Sequence, residues 1–214
     1  MIRGRIFICG DSTAASYNAA ETPIVGWGQL LPAYLPETVI VNRSIAGRST
    51  KSFLAEGRLR ALEEELAPGD ALLIQFAHND EGNKPERHTE PWADYRDNLK
   101  VFIETARKHG ALPVLVTPIC IRLWENGALR PTHGEYLKAM RYTAEETRTA
   151  MIDLYEDTFR IVAGMGGEKS KDLYMNLRPG DDPRYPDGLK DNTHTRYAGA
   201  DLYAKCMAEH LKTL

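Results

Sequence analysis

The sequence predicts an α/β fold, a three-layer α/β/α sandwich built around a five-stranded parallel sheet. Three observations carry that prediction. Short apolar runs alternate along the chain with segments of helical pattern. The runs are continuously apolar rather than alternating, which marks strands buried on both faces, as in a parallel sheet covered by helices. The 214 residues, 43% of them hydrophobic, show no repeat, low-complexity segment or linker, so one core and one domain over residues 1–214 are expected.

The elements follow in order. Residues 5–9 (RIFIC) read as the first strand, and residues 26–34 (GWGQLLPAY) as a short helix. Residues 38–41 (TVIV) are the second strand. Residues 49–59 look helical, anchored by Phe53, Leu54 and Leu59. Residues 70–76 (DALLIQF) form the third strand, an unbroken apolar run after the turn Pro68-Gly69. Residues 92–109 are an amphipathic helix stopped by Gly110. Residues 112–117 (LPVLVT) are the fourth strand, 133–149 a second long helix, 150–154 (AMIDL) the fifth strand, and about 196–211 a final helix. The longest irregular stretches, 80–91, 119–132 and 177–193, follow strands or precede the last helix. A ligand of an open parallel sheet sits beyond the carboxyl ends of its strands, so these loops are where a site belongs.

Composition excludes several classes. Charged residues make up 27% and the net charge is −3, with Glu63-Glu64-Glu65 the longest like-charge run. No basic face supports nucleic-acid binding. Cys9, Cys120 and Cys206 are sparse and far apart, which fits a reducing compartment, and no CxxC or His/Cys cluster suggests zinc. The first apolar run is too short for a signal-peptide core, and no run approaches the roughly 18 apolar residues of a membrane span. The expectation is a cytoplasmic protein without a membrane partner; a leader removed from the chain would place it outside the cell instead.

Four segments concentrate polar residues near the expected edge: Gly10-Asp11-Ser12-Thr13, residues 42–49 (NRSIAGRS), Ala77-His78-Asn79-Asp80, and Asp191-Asn192-Thr193-His194. Taken alone, Ser12 is a turn or helix-cap residue. A serine becomes a nucleophile when a base takes its proton, and a histidine titrating near neutral pH suits that task. His194 is the candidate base, with a helix cap as its plain alternative. Asp191, three residues earlier, has the spacing to reach the other ring nitrogen and hold the tautomer, or to cap a helix. An oxyanion formed at Ser12 needs donors. The Ser12 N–H, the N–H of Gly47 and the side-chain amide of Asn79 are candidates, and loss of such an amide costs roughly 3 kcal/mol of transition-state stabilisation. As plain alternatives, Gly47 is a loop glycine and Asn79 an Asx-turn residue. The absence of G-x-S-x-G argues against an α/β-hydrolase nucleophile elbow.

GDST near the start, the glycine within NRSIAGRST, HND after the third strand and DNTH near the end resemble, in order and along the whole chain, the four blocks of the SGNH (GDSL-like) hydrolase superfamily. GDST, the GRS segment, HND and the stretch LRPGDDPRYPDGLKDNTHTRYAGA are most similar to the rhamnogalacturonan acetylesterase-like carbohydrate esterases. The resemblance implies a flavodoxin-like sheet of order 2-1-3-4-5, a Ser12/His194/Asp191 triad and an oxyanion hole from Ser12, Gly47 and Asn79. It implies an acetyl-serine intermediate, an acetylated oligosaccharide or polysaccharide as substrate, and no metal or organic cofactor. One departure stands out: the third block ordinarily begins with glycine, and Ala77 occupies that position, which matters if its φ is positive.

Around this core, His78 either braces the third-block loop or lines a pocket, and His133 either starts a helix or meets substrate. Trp124 either stacks on a sugar or packs inside. Arg48, Lys51, Arg87, Arg122 and Arg130 either meet uronic-acid carboxylates or are solvated charges. Two alternatives to the acetylesterase are kept: a thioesterase or lysophospholipase with the same chemistry on longer acyl esters, and a non-catalytic flavodoxin-like module cradling phosphate in the GDST turn.

Overall fold

The computed structural model describes residues 2–214. In chain order the elements are β1 (Ile6–Gly10), α1 (Trp27–Leu30) running into a 3₁₀ turn at Leu31–Tyr34, β2 (Ile40–Asn42), α2 (Thr50–Ala55), α3 (Arg58–Glu63), β3 (Ala71–Gln75), α4 (Arg96–Lys108), β4 (Leu112–Val116), β5 (Trp124–Glu125), β6 (Ala128–Leu129), α5 (Gly134–Thr147), β7 (Ala150–Ile152), α6 (Leu154–Lys169), β8 (Tyr174–Leu177), β9 (Leu189–Thr195) and α7 (Tyr197–Leu211).

The main sheet runs β2-β1-β3-β4-β7, and every neighbouring pair is parallel. This is the expected 2-1-3-4-5 order, with β7 as the fifth strand because the small hairpin β5–β6 intervenes. The continuous apolar runs do what their pattern demands. In β1, Ile6 and Ile8 enter one core while Phe7 and Cys9 enter the other. The Ile6 side packs on Trp27 of α1, Leu154 and Val162 of α6, and Tyr203, Ala204 and Met207 of α7. The Phe7 side packs on Phe53 of α2, Leu59 of α3, Leu99 and Phe102 of α4, and Met140 of α5. On that side Phe53, Phe76 and Phe102 form a mutual aromatic cluster with centroids 5.3–5.8 Å apart. Full burial of each ring stabilises by about 1.5–3 kcal/mol, so both cores hold the sheet rigidly beneath its loops.

The structure departs from the predicted elements in places that affect the site. The helix expected over 49–59 breaks at Gly57, whose φ of 70° no helix accommodates, giving α2 and α3. The helix expected from residue 92 is regular only from Arg96, because Ala93 is non-helical (φ −121°, ψ −109°). Helix α6 lies outside the predicted elements; Gly164, Gly166 and Gly167 dilute its period, and Gly166 at φ 78° distorts it. The stretches expected to be irregular contain structure. β5–β6 is an antiparallel hairpin within 119–132, and β9 pairs antiparallel with β8 across the 177–193 region. Among the described residues no helix is long and apolar enough to cross a membrane.

Candidate active site

β1 delivers Ser12 to the carboxyl edge at the switch point between β1 and β3, where the chain turns to opposite sides of the sheet. Gly10 has to be glycine: a Cβ there would lie 2.8 Å from the Gln75 carbonyl. Beyond it the chain makes a turn, with the Ala14 N–H donating to the Asp11 carbonyl at 3.3 Å, and no helix begins before Trp27. Ser12 is therefore not a helix cap. The turn is fixed from below. Asp11 is fully buried and accepts from the Thr13 N–H (2.9 Å), the Thr13 hydroxyl (2.8 Å) and Gln75 Nε2 (3.2 Å), while Gln75 Oε1 accepts from Trp27 Nε1 at 3.1 Å. Burial pushes the Asp11 carboxyl up against those hydrogen bonds. The Tyr17 hydroxyl donates to the Ser12 carbonyl at 2.8 Å and closes the turn from above.

Ser12 Oγ lies 3.0 Å from His194 Nε2, and His194 Nδ1 lies 2.6 Å from Asp191 Oδ2. Both distances are within hydrogen-bond reach, so hydroxyl, imidazole and carboxylate form one relay. Asp191 Oδ1 accepts the N–H groups of Thr193 (2.8 Å) and His194 (3.0 Å). Burial pushes the Asp191 carboxyl up, but the bonds from the His194 ring and the two N–H groups outweigh it and hold the group below its usual value. For His194 burial disfavours the imidazolium; the bond to Asp191 and the charges of Asp191 and Asp11 outweigh that and raise it above 6.5.

Sequence reasoning placed Asp191 and His194 in a loop entering the last helix. They lie instead on β9, where the ladder bulges. Tyr174 opposes Thr195 and Asn176 opposes Lys190, so β8 advances two residues (174 to 176) while β9 advances five (190 to 195). The surplus residues let Asp191 and His194 point at each other, which a regular strand with its two-residue period forbids for i, i+3. Two side chains pin the bulge. Asn176 Nδ2 donates to the Asp191 carbonyl and to Asn192 Oδ1, both at 3.0 Å. The Arg122 N–H donates to the Asn192 carbonyl at 2.8 Å, and its Nη1 reaches Asn192 Oδ1 at 3.0 Å. Arg122 is buried, with Nε on Ser170 Oγ and Nη2 on the Gly167 carbonyl, so it is a brace and not a uronate contact. Asn176 carried no sequence signal, because its pairing with β9 exists only after the hairpin forms.

The oxyanion candidates converge on the same edge. The segment after β2 is drawn against β1 by Arg43 N–H to the Ile8 carbonyl (2.8 Å) and Ile45 N–H to the Gly10 carbonyl (3.0 Å). This brings in Gly47, whose φ of 76° requires glycine. Neither the Ser12 nor the Gly47 N–H donates to a protein acceptor among the described residues. Asn79 Oδ1 accepts from Arg87 Nη1 at 3.5 Å, and Nδ2 donates to the Arg48 carbonyl at 3.0 Å. That sets the amide with one Nδ2 hydrogen left over. Asp80, which the sequence reading did not single out, anchors this loop. Buried, it accepts from the Thr50 N–H (3.0 Å), the Thr50 hydroxyl (2.5 Å) and the Thr89 hydroxyl (3.1 Å), tying the third block to the start of α2. Burial outweighs these bonds and raises it to about 7.

Ala77 has φ 156°, at the border of the region that glycine enters freely. Such a backbone costs a residue with a side chain about 1–3 kcal/mol, while a glycine costs about 0.4–1 kcal/mol of unfolded-state entropy. Ala77→Gly is therefore expected to raise stability by about 1 kcal/mol, a Tm increase of about 2–4 °C in a thermal melt. A lowered Tm would show that the buried Ala77 methyl contributes more than its backbone strain costs.

For the remaining candidates the structure decides between the alternatives that the sequence leaves open, and His133 stands at the start of α5. Trp124 packs against the core and Gly167, its Nε1 buried, so it stacks inside and offers no sugar platform. Arg48 is paired with Glu56 at 3.1 Å and with the Ala46 carbonyl, so its guanidinium faces the protein and its carbonyl serves Asn79. Lys51 donates to the Pro85 and His88 carbonyls, and Arg130 pairs with Glu125. His133 is buried, with Nδ1 2.9 Å from Glu81 Oε1 and Nε2 3.0 Å from the Ile119 carbonyl. His78 stands edge-on to it, ring centroids 4.5 Å apart, and both its ring nitrogens are buried without a partner among the described residues. Burial first, and then His133 and His194, push His78 well below its usual value.

A serine, histidine and carboxylate in hydrogen-bonded sequence at the switch point of a three-layer α/β sandwich define the class of serine hydrolases. Residues 8–202 match the GDSL-like lipase/acylhydrolase family, and the chain belongs to that family of carboxylic ester hydrolases. It is 42% identical to the rhamnogalacturonan acetylesterase RhgT of Bacillus subtilis (strain 168), covering 98% of this chain and 90% of that protein. It is 39% identical to the probable rhamnogalacturonan acetylesterase YesY of the same organism, over 98% of this chain and 93% of that one. Among solved structures it superposes on protein YxiM from Bacillus subtilis with a TM-score of 0.81 at 28% identity, over 99% of this chain and 57% of that chain. It also superposes on Axe2, an acetylxylan esterase from Geobacillus stearothermophilus, with a TM-score of 0.70 over 99% of this chain and 96% of that chain; at 18% identity this likeness concerns the fold.

Proposed function

We propose that this protein removes O-acetyl groups from a carbohydrate, with acetylated rhamnogalacturonan fragments as the substrate. The observation that carries the chemistry is the unbroken line from Ser12 Oγ through His194 to Asp191. The substrate class rests on the two full-length relatives, 42% and 39% identical, whose names specify rhamnogalacturonan acetylesterase.

In this reading His194 Nε2 takes the Ser12 proton as Oγ adds to the acetyl carbonyl. Asp191 holds the Nδ1–H tautomer and stabilises the imidazolium. The tetrahedral oxygen receives the N–H groups of Ser12 and Gly47 and the spare Nδ2 hydrogen of Asn79. His194 then protonates the departing sugar hydroxyl, leaving acetyl-Ser12. A water, deprotonated by the same imidazole, adds to that ester; the second tetrahedral intermediate collapses, the proton returns to Ser12, and acetate leaves.

Asn79→Ala is expected to lower kcat about 10²–10³-fold with KM little changed, because the amide acts on charge that develops only in the transition state. Initial rates on p-nitrophenyl acetate measure this; a change confined to KM would assign Asn79 to ground-state binding instead. Acetate release from acetylated pectin fragments, acetylated xylan and simple sugar acetates tests the substrate, with the pectin fragments expected to give the highest kcat/KM. A p-nitrophenyl ester series whose activity rises beyond butyrate would overturn the acetyl reading in favour of a longer-chain acyl hydrolase.

A further inference from the structure

Behind the relay, a second cluster has a coordination problem that protein atoms alone do not solve. His133 Nε2 faces the carbonyl oxygen of Ile119 at 3.0 Å, so that nitrogen carries the hydrogen. Nδ1 then presents a lone pair, yet what it faces, at 2.9 Å, is Glu81 Oε1, another acceptor. Two acceptors this close share a positive charge, either a second ring proton or a metal ion. A proton would satisfy that pair and leave His78 as it stands: a ring beside His133 with both nitrogens buried and no partner. Orphaned buried nitrogens of that kind call for an explanation, and an ion absent from the protein chain is one.

A metal ion takes one nitrogen from each ring and an oxygen from Glu81 at once, leaving the second His78 nitrogen as an N–H. The ligand atoms of His78, Glu81 and His133 lie within 4.8 Å of one another. Bond lengths of about 2.0–2.2 Å place tetrahedral ligands about 3.3 Å apart, so the cluster closes on an ion by small side-chain movements, the partly exposed Glu81 being free to make most of them. Two imidazoles and one carboxylate suit zinc and its borderline neighbours and not calcium or magnesium, which prefer all-oxygen shells. The Ile119 carbonyl on the far nitrogen of His133 is the outer-shell acceptor that fixes the tautomer of a metal-bound histidine.

We propose that His78, Glu81 and His133 form a binding site for a divalent transition-metal ion of the zinc type, joining the loop after β3 to the start of α5. The site shares no residue with the Ser12 relay. Its place is structural. His78 and Glu81 flank Asn79 and Asp80, so a bound ion clamps the loop that carries the oxyanion amide.

The test is metal binding to the full-length protein after chelator treatment and dialysis. Titration with Zn²⁺ is expected to give one ion per chain, with Mg²⁺ and Ca²⁺ failing to compete. Co²⁺ is expected to give the intense visible bands of a four-coordinate site, with water as the fourth ligand beside the three side chains. Glu81→Gln and His78→Asn should each weaken Zn²⁺ at least about 10-fold. Zn²⁺ should also raise the Tm of the unaltered protein and shift the ring ¹⁵N resonances of His78 and His133, readouts that do not depend on a variant folding. No stoichiometric binding, or binding that leaves those two rings unshifted or survives both substitutions, would overturn the site; an ion held by the partly exposed His88, His109 or His210 gives the latter pattern. Esterase activity enters neither result, so this test and that of the catalytic reading fail separately.

Discussion

Replacing Ser12 with alanine is expected to lower kcat/KM by about 10⁶-fold while leaving the protein folded. The magnitude follows from what the hydroxyl does: removing the nucleophile of a serine hydrolase abolishes covalent catalysis and leaves the contribution of the oxyanion donors and substrate binding. The unchanged fold follows from its contacts. Ser12 Oγ touches His194 Nε2 and has no other hydrogen-bond partner among the described residues, whereas the turn is held by the Ser12 carbonyl, Asp11, Thr13 and Tyr17. The Tm should shift by no more than about 2–4 °C, because the substitution, although buried, breaks none of the bonds that hold the turn. Kinetics on p-nitrophenyl acetate with a parallel thermal melt measure both. A residual rate within 10-fold of the unaltered protein would remove Ser12 from the chemistry; a collapsed melt would mean that the hydroxyl is structural.

Asp191→Asn carries the second large effect, about 10⁴-fold in kcat, together with a change in pH dependence. With Asp191 ionised, His194 Nδ1 carries the hydrogen and Nε2 is free to accept the Ser12 proton. An asparagine amide at 2.6 Å can donate to Nδ1 instead, moving the ring hydrogen to Nε2, where it blocks the transfer. The sign of the pH effect follows from the charge balance. In the unaltered protein Asp191 and Asp11 raise His194 above 6.5 in spite of burial. The working form is the neutral ring, so activity should fall as the pH drops through a midpoint above 6.5. In Asp191→Asn the principal raising interaction is gone and burial remains, so the acid limb of kcat/KM should move to lower pH while its plateau drops. The pH profiles of both proteins between pH 5 and 9 measure this. A limb that stays in place would mean that it reports a group other than His194.

The sheet was legible because each of its strands is a continuous apolar run bounded by turn residues, and burial on both faces leaves a parallel sheet as the consistent solution. The four polar blocks were legible for a related reason: each follows such a run, or precedes the last helix, where a gathering of polar residues stands out from the apolar pattern. What the sequence hid depends on pairing. Asp191 and His194 at i, i+3 looked like a loop motif because the β-bulge that aims them arises from the register of β9 on β8, and a register is a relation between two segments. Asn176 and Arg122 brace that bulge from segments outside β9, and Arg122 read as either a uronate contact or a solvated charge, since only the folded chain closes Ser170, Gly167 and Asn192 around it. Helix α6 was hidden by its own glycines. Trp124 stayed open between the two roles because an aromatic residue in a polar stretch has the same composition whether it faces solvent or lies over a glycine of a packed helix. The cluster of His78, Glu81 and His133 was invisible because His133 lies more than 50 residues beyond the other two and its defining property, a pair of unpartnered ring nitrogens, exists only in the folded chain.

The central claim is that Ser12 is a nucleophile activated by His194, and covalent capture tests it most directly. The protein is treated with a fluorophosphonate, digested, and the modified peptide sequenced by mass spectrometry. One adduct per chain is expected, on the peptide carrying GDST and on Ser12 itself, formed much more slowly in His194→Ala and not at all in Ser12→Ala. An adduct on another residue, or labelling of equal rate in Ser12→Ala, would contradict it.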